Sequence, residues 1–72
     1  MGDNGRMEIH LNGAARRAEP GTTVLALLRE AGLAGRRVAV EVNGEIVPRS
    51  RHGEQVLEAG DRVEIVHALG GG

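Results

Sequence analysis

Apolar and polar positions first fall into a regular pattern at Met7. Met7–Leu11 alternates apolar and polar side chains, which predicts a strand with one buried face. Asn12-Gly13 follows directly, and because both residues tolerate a positive φ, the pair predicts a two-residue hairpin turn. Ala14–Ala18 is the expected return strand, with Arg16 and Arg17 at its exposed positions or at a sheet edge.

A helical spacing of apolar residues comes next, from Val24 to Ala31. Its apolar positions recur at i, i+3, i+4 and i+7 and share one face of a short helix: Val24, Leu27, Leu28 and Ala31. Thr22 and Thr23 precede it as N-cap candidates, and Gly32 follows where a left-handed C-terminal cap is favoured. We therefore predict one helix over residues 24–31.

Alternation with period two returns in the second half of the chain. Val38–Val42 predicts a strand, and Asn43-Gly44 predicts a second hairpin turn. Glu45–Val47 begins the return strand, which Pro48 ends or moves to an edge because proline lacks an N–H donor. Arg62–His67 alternates in the same way and is the last predicted strand. Between these strands, residues 49–55 show no regular pattern, and residues 56–57 are a candidate short strand.

The order of elements is hairpin, helix, two strands, a turn and a final strand. The first and last strands are the most apolar, so we expect them to be adjacent, parallel and central. This predicts an α+β fold of the β-grasp (ubiquitin-like) type, with one main helix packed across one face of a mixed sheet. The domain is expected to cover residues 7–67, with a disordered extension at 1–6 and a flexible glycine-rich tail at 68–72.

Composition narrows the possible functions. The 72 residues include no cysteine, no lysine and no aromatic Phe, Tyr or Trp, and nine arginines stand against ten acidic residues. Without stacking side chains or a basic excess, nucleic-acid binding is not expected. No apolar run is long enough to span a bilayer, and we expect no membrane partner and a cytoplasmic location. The missing Cys, Lys and Tyr and the lack of a phosphate-binding loop argue against an enzyme.

Three histidines are the residues that most resemble metal ligands or proton-transfer groups. His10, His52 and His67 match no usual ligand spacing, and no Asp or Glu accompanies them at a suitable offset. We therefore predict no metal site and interpret all three as exposed strand or loop residues. Arg16-Arg17 and Arg36-Arg37 are interpreted in the same way, as solvated charges that discourage association between strands.

Residues 70–72 are all glycine and follow the last predicted strand almost directly. A backbone without side chains adopts almost any φ and ψ and can thread a narrow channel. It would then present the carboxylate of Gly72 to another protein. Leu69 is the bulky apolar residue of this tail, and it is either an anchor on a partner or a last contact with the core.

Taken together, these segments resemble the ThiS family of sulfur carrier proteins. The resemblance covers residues 7–72 and is carried by five runs in this order: Ile9–Gly13, Thr23–Leu28, Val42–Arg49, Gly60–Val66 and Gly70–Gly72. It implies a carrier, not a catalyst, that binds no cofactor of its own.

The resemblance also implies the partners and the reactive group. A ThiF-type adenylyltransferase uses ATP and magnesium to adenylate the carboxylate of Gly72, and sulfur from cysteine, supplied through a cysteine desulfurase, converts it to a thiocarboxylate. A ThiG-type thiazole synthase then uses that sulfur to build the thiazole of thiamine. In this scheme Gly71 gives clearance in the partner's channel and Gly70 acts as a hinge.

Two other functions remain open at the level of sequence. A MoaD-like carrier for molybdopterin, or a carrier for tRNA thiolation, shares the terminal Gly-Gly. A TGS-type module that binds RNA or a ligand is similar over Val42–Pro48 and Gly60–Ile65.

Overall fold

The computed structural model describes residues 5–67 of the chain. The elements, in order, are β1 (Met7–Leu11), β2 (Ala14–Ala18), α1 (Val24–Glu30), β3 (Val38–Val42), β4 (Glu45–Val47), a 3-10 turn (Arg49–Arg51) and β5 (Arg62–His67). The predicted tail, 68–72, lies outside the described residues. So does the predicted extension, 1–6, except for Gly5 and Arg6, both exposed.

The five strands form a single mixed sheet in the order β2-β1-β5-β3-β4. Strand β1 pairs with β5 in parallel, and the other neighbours are antiparallel. The prediction that the first and last strands are adjacent, parallel and away from the sheet edges is confirmed, as is the β-grasp fold class. The parallel pair requires a crossover connection, which includes α1.

Helix α1 begins and ends on side-chain and backbone caps that the sequence indicates. The Thr23 hydroxyl accepts a hydrogen bond from the backbone N–H of Ala26 at 3.1 Å, so Thr23 is the N-cap. At the other end Gly32 has a φ of 77°. Its N–H donates to the Arg29 carbonyl at 3.1 Å, and the Leu33 N–H donates to the Leu28 carbonyl at 2.8 Å. These two bonds form a Schellman motif, which ends the helix at Glu30, one residue before the predicted end.

The core lies between α1 and the sheet and is entirely aliphatic. The predicted apolar face of the helix is buried at Val24, Leu27 and Leu28, while Ala31 is half-buried. From the strands and the loop before β5, the core receives Ile9, Ala18, Val40, Val42, Val47, Leu57, Val63 and Ile65. A chain without aromatic residues therefore fills its core mainly with branched side chains, and each Val, Leu or Ile contributes about 1.5–3 kcal/mol on full burial.

Both Asn-Gly pairs form the predicted hairpin turns. Asn12 and Gly13 have φ values of 51° and 87°, and Asn43 and Gly44 have values of 53° and 88°. Positive φ at both central positions defines the type I′ turn, whose twist matches that of the flanking strands.

The segment between β4 and β5 differs from the prediction in two respects. Residues 49–51 form a 3-10 turn instead of irregular chain, and residues 56–57 are not a strand, since Val56 makes only an isolated bridge with Thr23. Leu57 is nevertheless buried, and its N–H donates to the Thr22 carbonyl at 2.8 Å. The Val24 N–H donates in return to the Gln55 carbonyl at 3.0 Å. One buried side chain and the two backbone bonds of this bridge therefore hold residues 55–57 against the start of α1, not a ladder of strand pairs.

The prediction that all three histidines are exposed is wrong for His52. His10 and His67 are exposed, but His52 is only 6% exposed. Its Nε2–H donates to the Val47 carbonyl across 3.1 Å, and its own carbonyl accepts from the Leu25 N–H at 2.9 Å. His52 thus connects the end of β4 to the start of α1, a structural role that satisfies its buried polar atom.

We expect the alanine replacement of Leu27 to lower the free energy of unfolding by about 2–5 kcal/mol, because the side chain is fully buried and a cavity remains. Leu25→Ala, on the same helix but at a half-buried position, is the matched control and should cost clearly less. Urea denaturation followed by circular dichroism measures both. Equal losses would show that α1 does not pack on the sheet through the face described above.

Candidate functional site

The site residues predicted from sequence, Leu69, Gly70, Gly71 and Gly72, lie outside the described residues. What the structure does describe is the strand from which they continue. β5 ends at His67 and lies in the middle of the sheet, with β1 on one side and β3 on the other. The chain therefore runs into its glycine segment from the central strand of the domain, not from an edge.

Two basic side chains lie near the point where the chain leaves β5, on the β3 side. Register pairs Val38 with His67, so the residues directly before β3, Arg36 and Arg37, lie beside this end of the sheet. Both arginines are exposed, as predicted. The end of β5 therefore has two positive charges beside it at neutral pH, both on the β3 side.

The sheet face opposite the helix, here called the outer face, carries two exposed apolar side chains. Val66 is 58% exposed and Ile46 is 62% exposed. Both point away from the core, since each alternates with a buried neighbour on its strand. Ala39, half-buried, is paired with Val66. Val56 is comparably exposed at 49% but lies outside the sheet.

Two carboxylates occupy the outer face between these apolar groups. Glu41 on β3 is directly opposite Glu64 on β5, and Glu41 is also paired with Ile46 on β4. Within residues 5–67 neither carboxylate has an ion pair. Like charges directly opposite each other destabilise a sheet, so we expect this pair to be unfavourable in the isolated domain.

Two asparagine side chains hold β5 by hydrogen bonds that the sequence does not predict. From the sequence, Asn12 and Asn43 are expected only to form hairpin turns. In the structure the Asn12 amide bonds the backbone of Ile65, and the Asn43 amide bonds the backbone of Arg62 and the Asp61 carboxylate. An Asn-Gly pair predicts the turn but carries no signal of what its side chain reaches across the fold.

The residues that the structure describes contain no group of three or more His, Asp or Glu side chains arranged to hold a metal ion. His52 donates its Nε2–H to the Val47 carbonyl.

In the part of the chain that is described, α1 is too short to cross a membrane, and no other segment forms a long apolar helix.

A five-stranded mixed sheet with a parallel central pair and one helix across its inner face defines a β-grasp domain. The model of the ThiS family matches residues 9–72. The chain therefore belongs to the ThiS family, whose members are sulfur carriers in thiamine biosynthesis.

Comparison with a solved structure agrees with this assignment. The crystal structure of the thiamine biosynthesis protein ThiS from Geobacter metallireducens superposes with a TM-score of 0.80 at 30% sequence identity. The match covers 92% of this chain and 100% of that one. The family resemblance and the fold class predicted from the sequence are both confirmed, and the match favours the ThiS interpretation over the MoaD-like and TGS-type alternatives.

The curated relatives are larger proteins. The chain is 48% identical over 66 residues to a thiazole synthase of Magnetococcus marinus and 46% identical over 66 residues to one of Paramagnetospirillum magneticum. Each match covers 92% of this chain but only 20% of the relative, so the chain spans about a fifth of the length of these proteins.

Proposed function

We propose that this chain carries sulfur as a thiocarboxylate on Gly72 and delivers it to a thiazole synthase in thiamine biosynthesis. The observation that carries the proposal is the family match, which extends through the glycines to residue 72. The direct route from the central strand β5 into those glycines supports it.

The chemistry takes place at the terminal carboxylate in two steps. A carboxylate is a poor electrophile, so its oxygen first attacks the α-phosphorus of ATP, forming an acyl adenylate and releasing pyrophosphate. A sulfur nucleophile at the oxidation level of sulfide then attacks the acyl carbon. AMP leaves with the C–O bonding pair, and a thiocarboxylate remains. A ThiF-type adenylyltransferase binds the ATP and magnesium, and cysteine supplies the sulfur through a desulfurase, as the outer sulfur of a persulfide. A dithiol reductant reduces that persulfide, which releases the outer sulfur at the sulfide level, and is itself oxidised to a disulfide.

The tail has a length that suits this role. Five extended residues, 68–72, reach roughly 17 Å beyond His67. This reach connects a docked domain to a catalytic centre inside the partner. Gly71 places no side chain in a narrow channel, and Gly70 lets the chain change direction. Leu69 is the tail residue able to add an apolar contact, on the partner or on the domain's own core.

The curated relatives support a thiazole synthase as the receiving partner. In both, the region related to this chain is part of a protein named thiazole synthase. A sulfur carrier within the same polypeptide as the synthase is held at high effective concentration near its acceptor. For the present chain we propose a ThiG-type synthase as the partner that accepts the sulfur.

The outer face supports a specific docking mode for the adenylyltransferase. Val66 is two residues before the tail, so a protein that receives the tail comes close to Val66, Ala39 and Ile46. Glu41 and Glu64 repel each other in the isolated domain, and a basic side chain placed between them would remove that repulsion. We therefore propose that the adenylyltransferase contacts this face with apolar groups around an arginine or lysine.

Deletion of Gly72 should leave the fold unchanged and abolish formation of the thiocarboxylate, because the acceptor would be displaced by one residue. Adding an alanine after Gly72 is the matched control, since it keeps every native residue but converts the Gly72 carboxylate to an amide. Intact mass after incubation with the adenylyltransferase, ATP and a sulfur source reports the exchange of one oxygen for sulfur. If either variant acquires sulfur as the parent chain does, Gly72 is not the acceptor.

Val66→Glu should raise the KM of the carrier for adenylation by about tenfold, since a lost contact of ~1.4 kcal/mol has this effect. Val56→Glu, at a comparably exposed valine outside the sheet, should leave KM unchanged. ATP–pyrophosphate exchange at varied carrier concentration measures both, and thermal melts verify folding. The docking mode is excluded if the two substitutions act alike.

Glu64→Gln should change the free energy of unfolding and the affinity for the adenylyltransferase in opposite directions. The substitution removes the like-charge pair with Glu41, so the free energy of unfolding should rise by about 0.2–1 kcal/mol. The KM for adenylation should increase, because the partner's basic group loses a carboxylate. Glu58→Gln, at an exposed loop position, is the control and should change neither quantity. A Glu64→Gln variant that is stabilised without any change in KM would contradict a basic contact at this site.

A further inference from the structure

The second half of β5 extends beyond the end of its neighbour β1. The parallel register ends with Leu11 opposite Val63, after which the Asn12 N–H donates to the Val63 carbonyl at 2.9 Å and the chain turns away into β2. On its other side, β5 remains paired with β3 as far as His67. The backbone of Ile65 therefore meets the β1 side of the sheet where that strand has already ended.

The Asn12 side chain takes the place of the missing strand residue. Its Oδ1 accepts from the Ile65 N–H at 2.8 Å, and its Nδ2 donates to the Ile65 carbonyl at 3.3 Å. We call this pair of bonds the Asn12 clamp. A strand residue would offer the same pairing, one acceptor and one donor, with its backbone. A side-chain amide supplies both groups, whereas a carboxylate has no donor.

A second asparagine provides an internal comparison at the opposite end of the strand. Asn43 occupies the same position in a turn of the same type. Its N–H donates to the Arg62 carbonyl at 2.7 Å, and its Oδ1 accepts from the Arg62 N–H at 2.9 Å. Asn43 thus holds the start of β5, while the Asn12 clamp holds the part that leads into the tail.

We propose that Asn12 is a positioning residue that fixes the direction in which the glycine tail leaves the domain. The inference rests on the proposed function, because the direction matters only if the terminal carboxylate must reach a partner's catalytic centre. Ile65 is three residues before the tail, and without the clamp its β1 side would have no strand partner. Residues 65–67 would then sample more than one direction.

The expected consequence falls on binding and not on the chemical step. A segment that is ordered before association loses less entropy when it binds, so a free carrier with a loose strand end binds its adenylyltransferase more weakly. Once bound, the partner's channel imposes the productive path on the tail. Loss of the clamp should therefore raise the KM and leave kcat nearly unchanged.

The test compares Asn12→Gly with Asn43→Gly. Glycine keeps the positive φ that both turns need and removes the side-chain bonds in each case. For Asn12→Gly we expect the KM for ATP–pyrophosphate exchange to rise about tenfold, equivalent to ~1.4 kcal/mol, with kcat within about a factor of two. For Asn43→Gly both constants should stay at the parent values, although thermal stability falls in both variants.

Two further measurements separate positioning from simple destabilisation. Amide hydrogen exchange at Ile65 should accelerate in Asn12→Gly and not in Asn43→Gly. Asn12→Asp keeps an acceptor for the Ile65 N–H but has no donor for its carbonyl, so its KM should lie between those of the parent and Asn12→Gly. This milder variant also serves if the glycine variant does not fold.

The outcomes distinguish failure of the positioning role of Asn12 from failure of the proposed carrier function. If the parent chain is adenylated and both glycine variants show the same KM, Asn12 has a structural role only and the positioning proposal is overturned. The same holds if Ile65 exchange accelerates in Asn12→Gly while its KM stays at the parent value. If the parent chain is not adenylated at all, the proposed function is wrong and the positioning proposal fails with it.

Discussion

Pairing of β5 between β1 and β3 is the interaction on which the rest of the structure depends. The strand brings the end of the described chain against its beginning, with His10 opposite Arg62 and Leu11 opposite Val63. Its inward side chains, Val63 and Ile65, are 1% and 7% exposed and fill the middle of the core. These contacts join distant parts of the sequence, so β5 depends on both β1 and β3 for its pairing. The same strand leads into the glycines, so presentation of the tail requires the whole fold.

The aliphatic core limits how much disturbance the domain tolerates. A domain of this size buries a smaller share of its surface than a larger domain does and has only a few kcal/mol of stability. Fully buried Ile9, Leu27 and Val40 meet from β1, α1 and β3, and no aromatic ring is present to fill space that a smaller side chain would leave. Polar anchors compensate in part. The His52 side chain bonds the Val47 carbonyl of β4, and the two turn asparagines bond the backbone of β5, so three junctions of the sheet have a side-chain partner.

The sequence predicts the strands, the helix and the turns, which depend on neighbouring residues. It does not predict burial or side-chain contacts that depend on residues far along the chain. Alternation in β1 and β5, the 3.6-residue spacing in α1 and the two Asn-Gly pairs indicate their structures within a few neighbouring residues, and all were correctly assigned. The burial of His52 could not be predicted in this way, because it depends on Val47 and on the start of α1 being folded around it. The same holds for Leu57, which is buried without being in a strand, and for the amide of Asn12, whose partner is 53 residues away. For the candidate site, the terminal run of glycines and the family resemblance indicated the tail, but nothing in the local pattern indicated the outer face, since Glu41 and Glu64 become opposite only when β3 and β5 pair.

The two faces of the sheet have different roles: the inner face packs against α1 and stabilises the domain, and the outer face is available for recognition. The buried residues of β3 and β5 alternate with less buried ones over 40–42 and 62–66, so a substitution at Val66 or Glu64 changes the outer face without opening the core. The inner face is constrained by packing against α1, whereas the outer face carries a like-charge pair and exposed apolar groups that packing does not require. A like-charge pair that lowers the stability of the isolated domain is best explained if a binding partner neutralises it. By this reasoning the repulsion between Glu41 and Glu64, close to the strand that leads into the tail, is a stronger indication of a docking surface than the exposed apolar side chains alone.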